Sequence, residues 1–295
     1  MKEKGAEMRS VGRQQILARS VDYEDYSATA VKYDDTRVTI GLEIIVGCLT
    51  NGRRLDQQVV LDAGCGTGNY LEALGDLIGF GYGIDINAGM LEEAKRKLKP
   101  RSNITLDRGE LTRLPYDANF FDGIICTQVL HHLDGENKAG IFPNVRNMLA
   151  EFGRVLRPGA AIILNTCARE QLFEAFWWAD LIPEAVGRMA ARMPSVNQTA
   201  EMLSEAGFSI GGVVASLYDV LQGPSYFDPE GPLKASFRSG DSTWALVSDR
   251  ELMRVVDRVR DMNRDGSIRA FLVERGERRR RVGQTTFIFG RKLGS

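Results

Sequence analysis

Residues 59–70, VVLDAGCGTGNY, combine an apolar run with three closely spaced glycines. The first residues of this stretch are β-branched or aliphatic, which predicts a buried strand that ends at Asp62. Gly64, Gly66 and Gly68 follow, and residues without side chains let a backbone turn sharply and approach a ligand closely. The stretch therefore predicts a strand, a tight loop and the start of a helix, with a ligand site at the strand end.

The alternation of β-rich runs with helix-length amphipathic segments continues from Val59 to about Phe289. This pattern is typical of βαβ units around a mainly parallel sheet, so the predicted fold class is α/β. The predicted strands span 58–63, 80–86, 103–107, 121–127, 160–166, 208–217 and 284–291, and the predicted helices span 68–78, 88–99 and 142–156. Asn87 is the expected N-cap of the second helix, and Arg157-Pro158-Gly159 is expected to stop the third.

Three segments do not follow this alternation. We expect residues 1–57 to form an N-terminal helical lid, and residues 58–295 to form the main domain with cap insertions at about 168–206 and 218–282. No internal repeat or low-complexity linker separates these parts, so they are interpreted as elaborations of one domain. The apolar stretch within 38–49 is expected to pack either on its own sheet or against a second subunit, which leaves a homo-oligomer open.

Composition and charge narrow the class of partner. The formal net charge is -1, so no global positive field draws the chain to nucleic acid or to an anionic membrane. The four cysteines are widely spaced and form no CxxC pair, which predicts no disulfide framework and no metal site and favours a reducing cytoplasm. No stretch approaches the ~18 apolar residues of a membrane span. The basic run at 275–281 is interpreted as a solvated helix face rather than a nucleic-acid site.

An acidic residue follows the glycine loop at the spacing of a nucleoside site. Asp85 ends the next predicted strand, in YGIDIN at residues 82–87. The spacing of Asp85 from the loop is near the ~20 residues expected of such sites. A carboxylate at that place can accept hydrogen bonds from both ribose hydroxyls. An NAD-type dehydrogenase is the alternative, but its pyrophosphate needs GxGxxG, whereas this loop contains GxGxG.

Four further segments occur in the order expected of one family. They are RGELTRLPY at 108–116, FFDGIICTQVLHHL at 120–133, FGRVLRPGAAIIL at 152–164 and EMLSEAGFSI at 201–210. With the glycine loop, they make the chain resemble the class I S-adenosylmethionine-dependent methyltransferases, particularly the ubiquinone and menaquinone methyltransferase group (methyltransferase type 11). The resemblance covers 55–166 closely and 195–217 more loosely. It implies a Rossmann-like, seven-stranded, mainly parallel sheet with an antiparallel last strand, and helical insertions that form a cap.

The same resemblance implies S-adenosylmethionine as cofactor, S-adenosylhomocysteine as product, and a set of cofactor-binding residues. Asp62 and the glycines would line the methionine part, Asp85 would hold the ribose, and Glu110 and Leu111 would hold the adenine. The full implied set is Tyr33, Arg37, Asp62, Ala63, Gly64, Gly66, Gly68, Asp85, Ile86, Met90, Gly109, Glu110, Leu111, Cys126 and Gln128. Tyr33 and Arg37 would share one helical face if a helix runs through both, and would bind the methionine carboxylate.

The reaction itself needs few catalytic groups. A methyl sulfonium is already activated, so the enzyme mainly orients the acceptor, and a base is needed only for acceptors that carry a proton. His131 and His132, the only histidines, follow the fourth strand and are the candidate bases, with His131 preferred. The alternative is that both only shape the loop.

Aromatic residues in the extra segments are the candidate substrate contacts. They are Tyr23, Tyr26, Trp177, Trp178 and Tyr226. Such walls suit an apolar or cationic acceptor, and the alternative is that they form ordinary core. The sequence therefore predicts a methyltransferase acting on a small molecule, with a secondary metabolite as one candidate. A methyltransferase acting on protein or RNA and a nucleoside-binding protein without turnover are the alternatives.

Overall fold

One seven-stranded sheet lies at the centre of the computed structural model, which describes residues 33–34, 37–50, 53–137 and 139–294. Its strands are β1 (Val59–Ala63), β2 (Phe80–Asp85), β3 (Ile104–Arg108), β4 (Phe121–Thr127), β5 (Leu156–Thr166), β6 (Phe208–Ser216) and β7 (Thr285–Lys292). They follow the order β3-β2-β1-β4-β5-β7-β6. Strand β7 runs antiparallel to both of its neighbours, β5 and β6, and the other pairs are parallel. The predicted mainly parallel sheet with an antiparallel last strand is confirmed.

Helices alternate with the strands. The α-helices of the described residues are α1 (Leu42–Leu49), α2 (Asn69–Leu74), α3 (Ala88–Leu98), α4 (Pro143–Val155), α5 (Arg169–Glu174), α6 (Pro183–Ala190), α7 (Val196–Glu205), α8 (Ala235–Ser239), α9 (Asp249–Asp265) and α10 (Ile268–Val282). The Asn87 side chain accepts a hydrogen bond of 3.0 Å from the Met90 amide and caps α3 as predicted. Helix α2 is shorter than predicted, because Gly75 follows it and glycine is a poor helix former. None of the described helices is long and apolar enough to span a membrane.

The inner strands β1, β4, β5 and β7 are largely buried on both faces, as expected where helices cover a sheet, whereas the edge strand β6 is mostly exposed. On one face, Leu61 and Ile124 pack with α4 and α7 in a core that includes Phe152. On the other face, α1 lies against the strands through Ile45 and Leu49, both buried. The apolar stretch within 38–49 therefore packs on its own sheet, the first of the two expected alternatives.

The cap is built from two insertions that share one hydrophobic core. Helices α5 and α6 come from the first insertion, and α8, α9 and α10 come from the second, with Trp178 and Trp244 packed between them. Helix α7 lies within the segment 168–206, which was expected to belong to the cap, but it packs elsewhere. Its Met202 and Leu203 belong to the core under the sheet, where α7 packs on β6, so the first insertion ends before it.

Part of the basic run at 275–281 is buried inside the cap. Arg275 forms an ion pair with Asp180, and an Arg279 guanidinium nitrogen donates to the Leu217 carbonyl at 3.1 Å. A charged group is taken out of water only when it gains such partners. These two arginines therefore tie α10 to the rest of the molecule and do not belong to a solvated face.

Candidate active site

A cavity of about 620 Å³ opens at the carboxyl ends of the parallel strands. Loops after β1, β2, β3 and β4 form its wall, the usual position of ligand sites in open α/β sheets. The predicted cofactor residues on this wall are Tyr33, Gly64, Gly66, Asp85, Ile86, Met90, Gly109, Glu110, Leu111 and Gln128. His132 also lines it, together with Asn87, Ala88, Arg108, Thr112, Thr127, Val129, Leu133 and Asn144, which sequence reasoning did not select.

The glycine loop leaves room for a ligand at Gly64 and Gly66. An added side chain would clash with the protein at the first position and fill the cavity at the second. Gly64 has φ 77°, and a Cβ there would lie 2.4 Å from Cγ2 of Val129. Gly66, at φ 53°, lines the cavity, and a Cβ added to it would meet no protein atom within 4 Å. A side chain at Gly66 would therefore occupy the cavity itself.

Asp85 holds the glycine loop from the neighbouring strand. Its carboxylate oxygens accept hydrogen bonds from the backbone amides of Gly66 at 2.9 Å and Asn87 at 2.8 Å. Burial raises the pKa of Asp85, and these amide hydrogen bonds oppose the shift. A carboxylate offers about four acceptor sites, so two amides do not exhaust it. Asp85 can bind the loop and still accept from ligand hydroxyls.

Asp62 lies at the end of β1, buried, and off the cavity wall. Neither of its carboxylate oxygens has a hydrogen-bond partner among the described residues. Burial, and secondarily the charge of Asp85, raise its pKa to about 7. A buried carboxylate without a hydrogen-bond partner is costly in its charged form, which is the physical cause of the raised pKa.

Four other expected cofactor residues lie away from this wall. Ala63 and Cys126 are buried in the strands, and Gly68 caps α2, where a Cβ would lie 2.7 Å from Cδ1 of Leu98. Arg37 lines a different cavity, described below. These four residues do not line this wall, and their expected contact with the cofactor stays a prediction.

A polar cluster anchors Tyr33 to the glycine loop. The next residue, Asp34, accepts hydrogen bonds from the Thr67 hydroxyl at 2.6 Å and from the Asn69 amide at 3.0 Å, and it pairs with Lys97 of α3. Burial raises the pKa of Tyr33, so its phenol is neutral. Sequence reasoning missed this cluster, because its members come from three segments that only the fold brings together.

A second, smaller cavity of about 50 Å³ lies under the cap, and we call it the inner cavity. Tyr33, Gln128 and His132 line both cavities, so the two meet at these residues. The apolar part of its wall consists of Leu172, Phe176, Trp178, Met189, Met193 and Leu221. Arg37, His131, Cys167 and the segment 240–243 supply the rest. The inner cavity is therefore half apolar and half polar.

Arg37 is held at the inner cavity by an ion pair with the cap. Its Nη2 lies 3.2 Å from Oδ2 of Asp241, and the two side chains are only 15% and 8% exposed. Oδ1 of Asp241 accepts the backbone amides of Thr243 at 2.8 Å and Trp244 at 3.3 Å. Residues 37–40 are not helical, so Tyr33 and Arg37 do not share a helical face as expected. Arg37 lines the inner cavity, and its expected binding of a methionine carboxylate stays a prediction.

Both histidines follow β4 and have lowered pKa values. Nε2 of His131 lies 3.3 Å from the Ser242 hydroxyl, and the two imidazole rings are 4.0 Å apart. Burial, then His132, Arg37 and Arg192, lower the pKa of His131 well below 6.5. Burial and Arg192 lower the pKa of His132 to about 4. Both rings are therefore neutral at pH 7, and both are weak bases.

Gln128 adopts a backbone conformation that is unusual outside glycine. Its φ is 56°, a strained value for a residue with a side chain. Asn165 of β5 holds it in place, since the Asn165 carbonyl accepts the Gln128 amide at 2.8 Å and Oδ1 of Asn165 accepts Nε2 at 2.7 Å. The strain is thus offset by two hydrogen bonds that fix the carboxamide where the two cavities meet.

The aromatic residues expected to contact substrate divide into two groups. Trp178 lines the inner cavity. Trp177 and Tyr226 line neither cavity: Nε1 of Trp177 donates to the Tyr226 carbonyl at 2.7 Å, and the Tyr226 hydroxyl donates to the Ala175 carbonyl at 2.9 Å. Both belong to the hydrophobic core of the cap, and their expected contact with substrate stays a prediction. Tyr23 and Tyr26 lie outside the described residues.

Comparison with known proteins places the glycine loop within a recognised domain. Residues 61–164 match the family described as "Methyltransferase domain". The chain is 33% identical over 106 residues to a demethylmenaquinone methyltransferase of Staphylococcus saprophyticus, covering 35% of this chain and 42% of the relative. It is 33% identical over 119 residues to a tRNA (carboxymethyluridine(34)-5-O)-methyltransferase of Arabidopsis thaliana, covering 38% and 25%. Each of these two matches spans less than half of the relative's own length.

A solved structure shares the fold of this chain. A putative methyltransferase from an antibiotic biosynthesis pathway of Anabaena variabilis superposes with a TM-score of 0.68 at 20% identity. The match covers 84% of this chain and 95% of that one, so it includes the cap as well as the sheet. The predicted resemblance to the class I methyltransferase group is confirmed, and so is the Rossmann-like fold.

Proposed function

We propose that this chain, which carries a methyltransferase domain at residues 61–164, is an S-adenosylmethionine-dependent methyltransferase that acts on a small molecule. One observation carries the proposal. The cavity of about 620 Å³ behind the glycine loop lies next to a second cavity under the cap, and Tyr33, Gln128 and His132 line both. A donor in the first cavity and an acceptor in the second would meet at these residues.

The residues of the larger cavity fit the cofactor. The side-chain-free surface at Gly66 leaves space that a Cβ would fill, and Asp85 retains acceptor sites for ribose hydroxyls. The unsatisfied carboxylate of Asp62 suits the ammonium group of an amino acid moiety. The side chains of Met90 and Leu111 supply an apolar wall for the adenine ring. When bound, the cofactor supplies a methyl group on a positively charged sulfur.

The chain itself contributes orientation and exclusion of water. Asp34, next to Tyr33, is held by Thr67 and Asn69, and the Gln128 carboxamide is held by Asn165, so protein contacts orient the shared wall of the two cavities. Orientation of two reactants can account for about 7–11 kcal/mol of a reaction barrier in favourable cases. Tyr33 and Gln128 are therefore the positioning residues of this proposal.

The cap favours a small acceptor over a macromolecule. The inner cavity lies between two insertions that share a packed core, and its wall includes Trp178 and Phe176, both buried. A nucleic acid or a protein needs an open surface, and the basic run at 275–281 directs Arg275 and Arg279 inwards. Concave sites that combine apolar walls with a few polar groups are typical of small ligands.

The test is methyl transfer from labelled S-adenosylmethionine to three separate pools: small metabolites, RNA and protein. We expect label in the small-molecule pool, and its loss in an Asp85→Ala variant, because that change removes the predicted ribose acceptor. An Asp261→Asn variant is the matched control, since Asp261 lies in an exposed pair with Arg264 on α9. Label confined to RNA or protein would contradict the small-molecule proposal.

A further inference from the structure

One carboxylate ties the residue next to Tyr33 to the glycine loop. Oδ1 of Asp34 accepts hydrogen bonds from the Thr67 hydroxyl at 2.6 Å and from Nδ2 of Asn69 at 3.0 Å. Thr67 and Asn69 stand on either side of Gly68, the N-cap of α2, so they mark the point where the loop passes into the helix. Asp34 therefore binds the loop at this junction and brings Tyr33 beside it.

Lys97, in the last turn of α3, completes the contact. Its ammonium pairs with Oδ2 of Asp34, donates to Oδ1 of Asn69 and lies 3.5 Å from the Thr67 hydroxyl oxygen. An ammonium has three N–H donors, and these three oxygens match them in number. The Lys97 side chain is only 11% exposed, and a charged group leaves water at acceptable cost only when it gains such partners. We call Asp34, Thr67, Asn69 and Lys97 the latch.

The packing of α3 does not depend on Lys97. The helix is held in place by Leu91, Ala94 and Leu98, which are buried in one apolar cluster. Lys97 points its ammonium away from that cluster, to the oxygens of the latch. Its contacts therefore serve the position of Asp34 rather than the position of the helix.

The position of Asp34 matters because its neighbour belongs to the wall of both cavities. Tyr33 lines the larger cavity together with Gly66 and Asp85, and it lines the inner cavity as well. Given the proposed function, we infer that Lys97 is a positioning residue for the cofactor, which holds Tyr33 at the wall of the larger cavity through Asp34. The latch raises the fraction of molecules in which this wall is complete, and apparent affinity rises with that fraction.

The test is a thermodynamic cycle on the affinity of the full chain for S-adenosylhomocysteine, measured by calorimetry. Lys97→Met removes the ammonium and keeps an unbranched side chain. We expect it to weaken binding about tenfold, as the loss of one hydrogen bond to a charged group predicts. In a Tyr33→Ala background the same change should weaken binding less than about twofold, because residues that act as one unit are not additive.

Two further variants make the cycle specific to the latch. Lys95→Met is the matched control, since Lys95 lies in the same turn of α3 in an exposed pair with Glu92, and it should bind the ligand like the parent protein. Asp34→Asn removes the other charge of the latch. It should reproduce the loss of affinity, again only where Tyr33 is present, and it provides the same test if Lys97→Met does not fold.

Two results would overturn the inference: an affinity of Lys97→Met within twofold of the parent protein, or an equal loss with and without Tyr33. The second result is what a lysine that only stabilises the fold predicts. Binding by the parent protein separates this failure from that of the proposed function. If the parent binds S-adenosylhomocysteine, either result contradicts only the role of Lys97. A folded parent protein that binds none contradicts the proposed function itself.

Discussion

The large cavity at the strand ends and the inner cavity under the cap are assembled in different ways. The first is formed by short loops after β1, β2, β3 and β4, with backbone atoms of the glycine loop and one carboxylate of a neighbouring strand. The second draws on segments far apart in the chain, and its ion pair joins Arg37 to Asp241 across 204 positions. Backbone geometry dominates the first cavity, and long-range side-chain contacts dominate the second.

This difference predicts that the two cavities can be perturbed separately. The strand-end cavity depends on turns that are fixed by the sheet, whereas the inner cavity depends on the packing of the cap. Damage to the cap core should lower stability and spare cofactor affinity. Damage to the glycine loop should lower cofactor affinity more than it lowers stability.

The largest expected effect is that of Trp177→Ala in the cap core. Trp177 is buried and donates to the Tyr226 carbonyl, so truncation should cost about 3–5 kcal/mol of unfolding free energy in a urea titration. Cofactor affinity should change by no more than about twofold, since well-separated sites are nearly independent. Tyr218→Ala, at an exposed position, should leave both quantities nearly unchanged. A parallel loss of cofactor affinity would show that the two cavities are coupled.

Gly64→Ala should have the next largest effect, and that effect should fall mainly on cofactor affinity. Its positive φ costs an alanine about 1–2 kcal/mol, and the new Cβ would clash with Val129. Calorimetry should therefore show a loss of cofactor affinity of at least about tenfold. Gly187→Ala in α6 is the control: its Cβ meets nothing within 4 Å, and the change should stabilise the helix by about 0.5–1 kcal/mol. Unaltered affinity in Gly64→Ala would remove the backbone basis of the cavity.

Tyr226→Phe sharpens the distinction between core and cavity wall. The hydroxyl donates to the Ala175 carbonyl and accepts the Trp177 amide, so its loss should cost about 1–3 kcal/mol of stability. Because Tyr226 lines neither cavity, the KM of the acceptor should not change. A raised KM with unchanged stability would restore Tyr226 to the substrate wall.

The smallest effect concerns Asp62 and depends on pH. Its folded pKa of about 7 lies above the usual 3.8, so the folded state binds the proton more tightly. That contribution to stability is fully present below about pH 4 and is lost as pH rises through 7. Asp62→Asn should therefore be about 1–2 kcal/mol more stable than the parent at pH 8 and similar to it at pH 4. Melting temperatures at both pH values check this, and an equal change at both would contradict it.

The strands and the glycine loop could be predicted because their signals are local. A strand shows in a short run rich in apolar residues, such as VVLDA or FDGIICT, and the turn at Gly64 shows in the glycine spacing itself. The position of Asp85 followed from the same pattern one strand later. Most of the larger cavity was therefore accessible from the sequence, since its wall consists of strand ends.

The inner cavity was accessible only in part, because its contacts depend on the packing of distant segments. Arg37 was expected on a helix with Tyr33, but an extended segment carries it to Asp241. The hydrogen bonds between Gln128 and Asn165 follow from the adjacency of β4 and β5, which no short motif encodes. Aromatic residues such as Trp177 and Trp178 have the same local pattern whether they form core or cavity wall.

Calorimetric titration with S-adenosylhomocysteine, run on the parent protein and on Asp85→Ala, most directly tests whether an adenosyl ligand occupies the strand-end cavity. The account predicts saturable binding with one ligand per chain, and an affinity about 100-fold lower in the variant. Two hydrogen bonds to a carboxylate, at about 1.5 kcal/mol each, give that factor. No heat from well-folded parent protein, or equal affinity in Asp85→Ala, would contradict it.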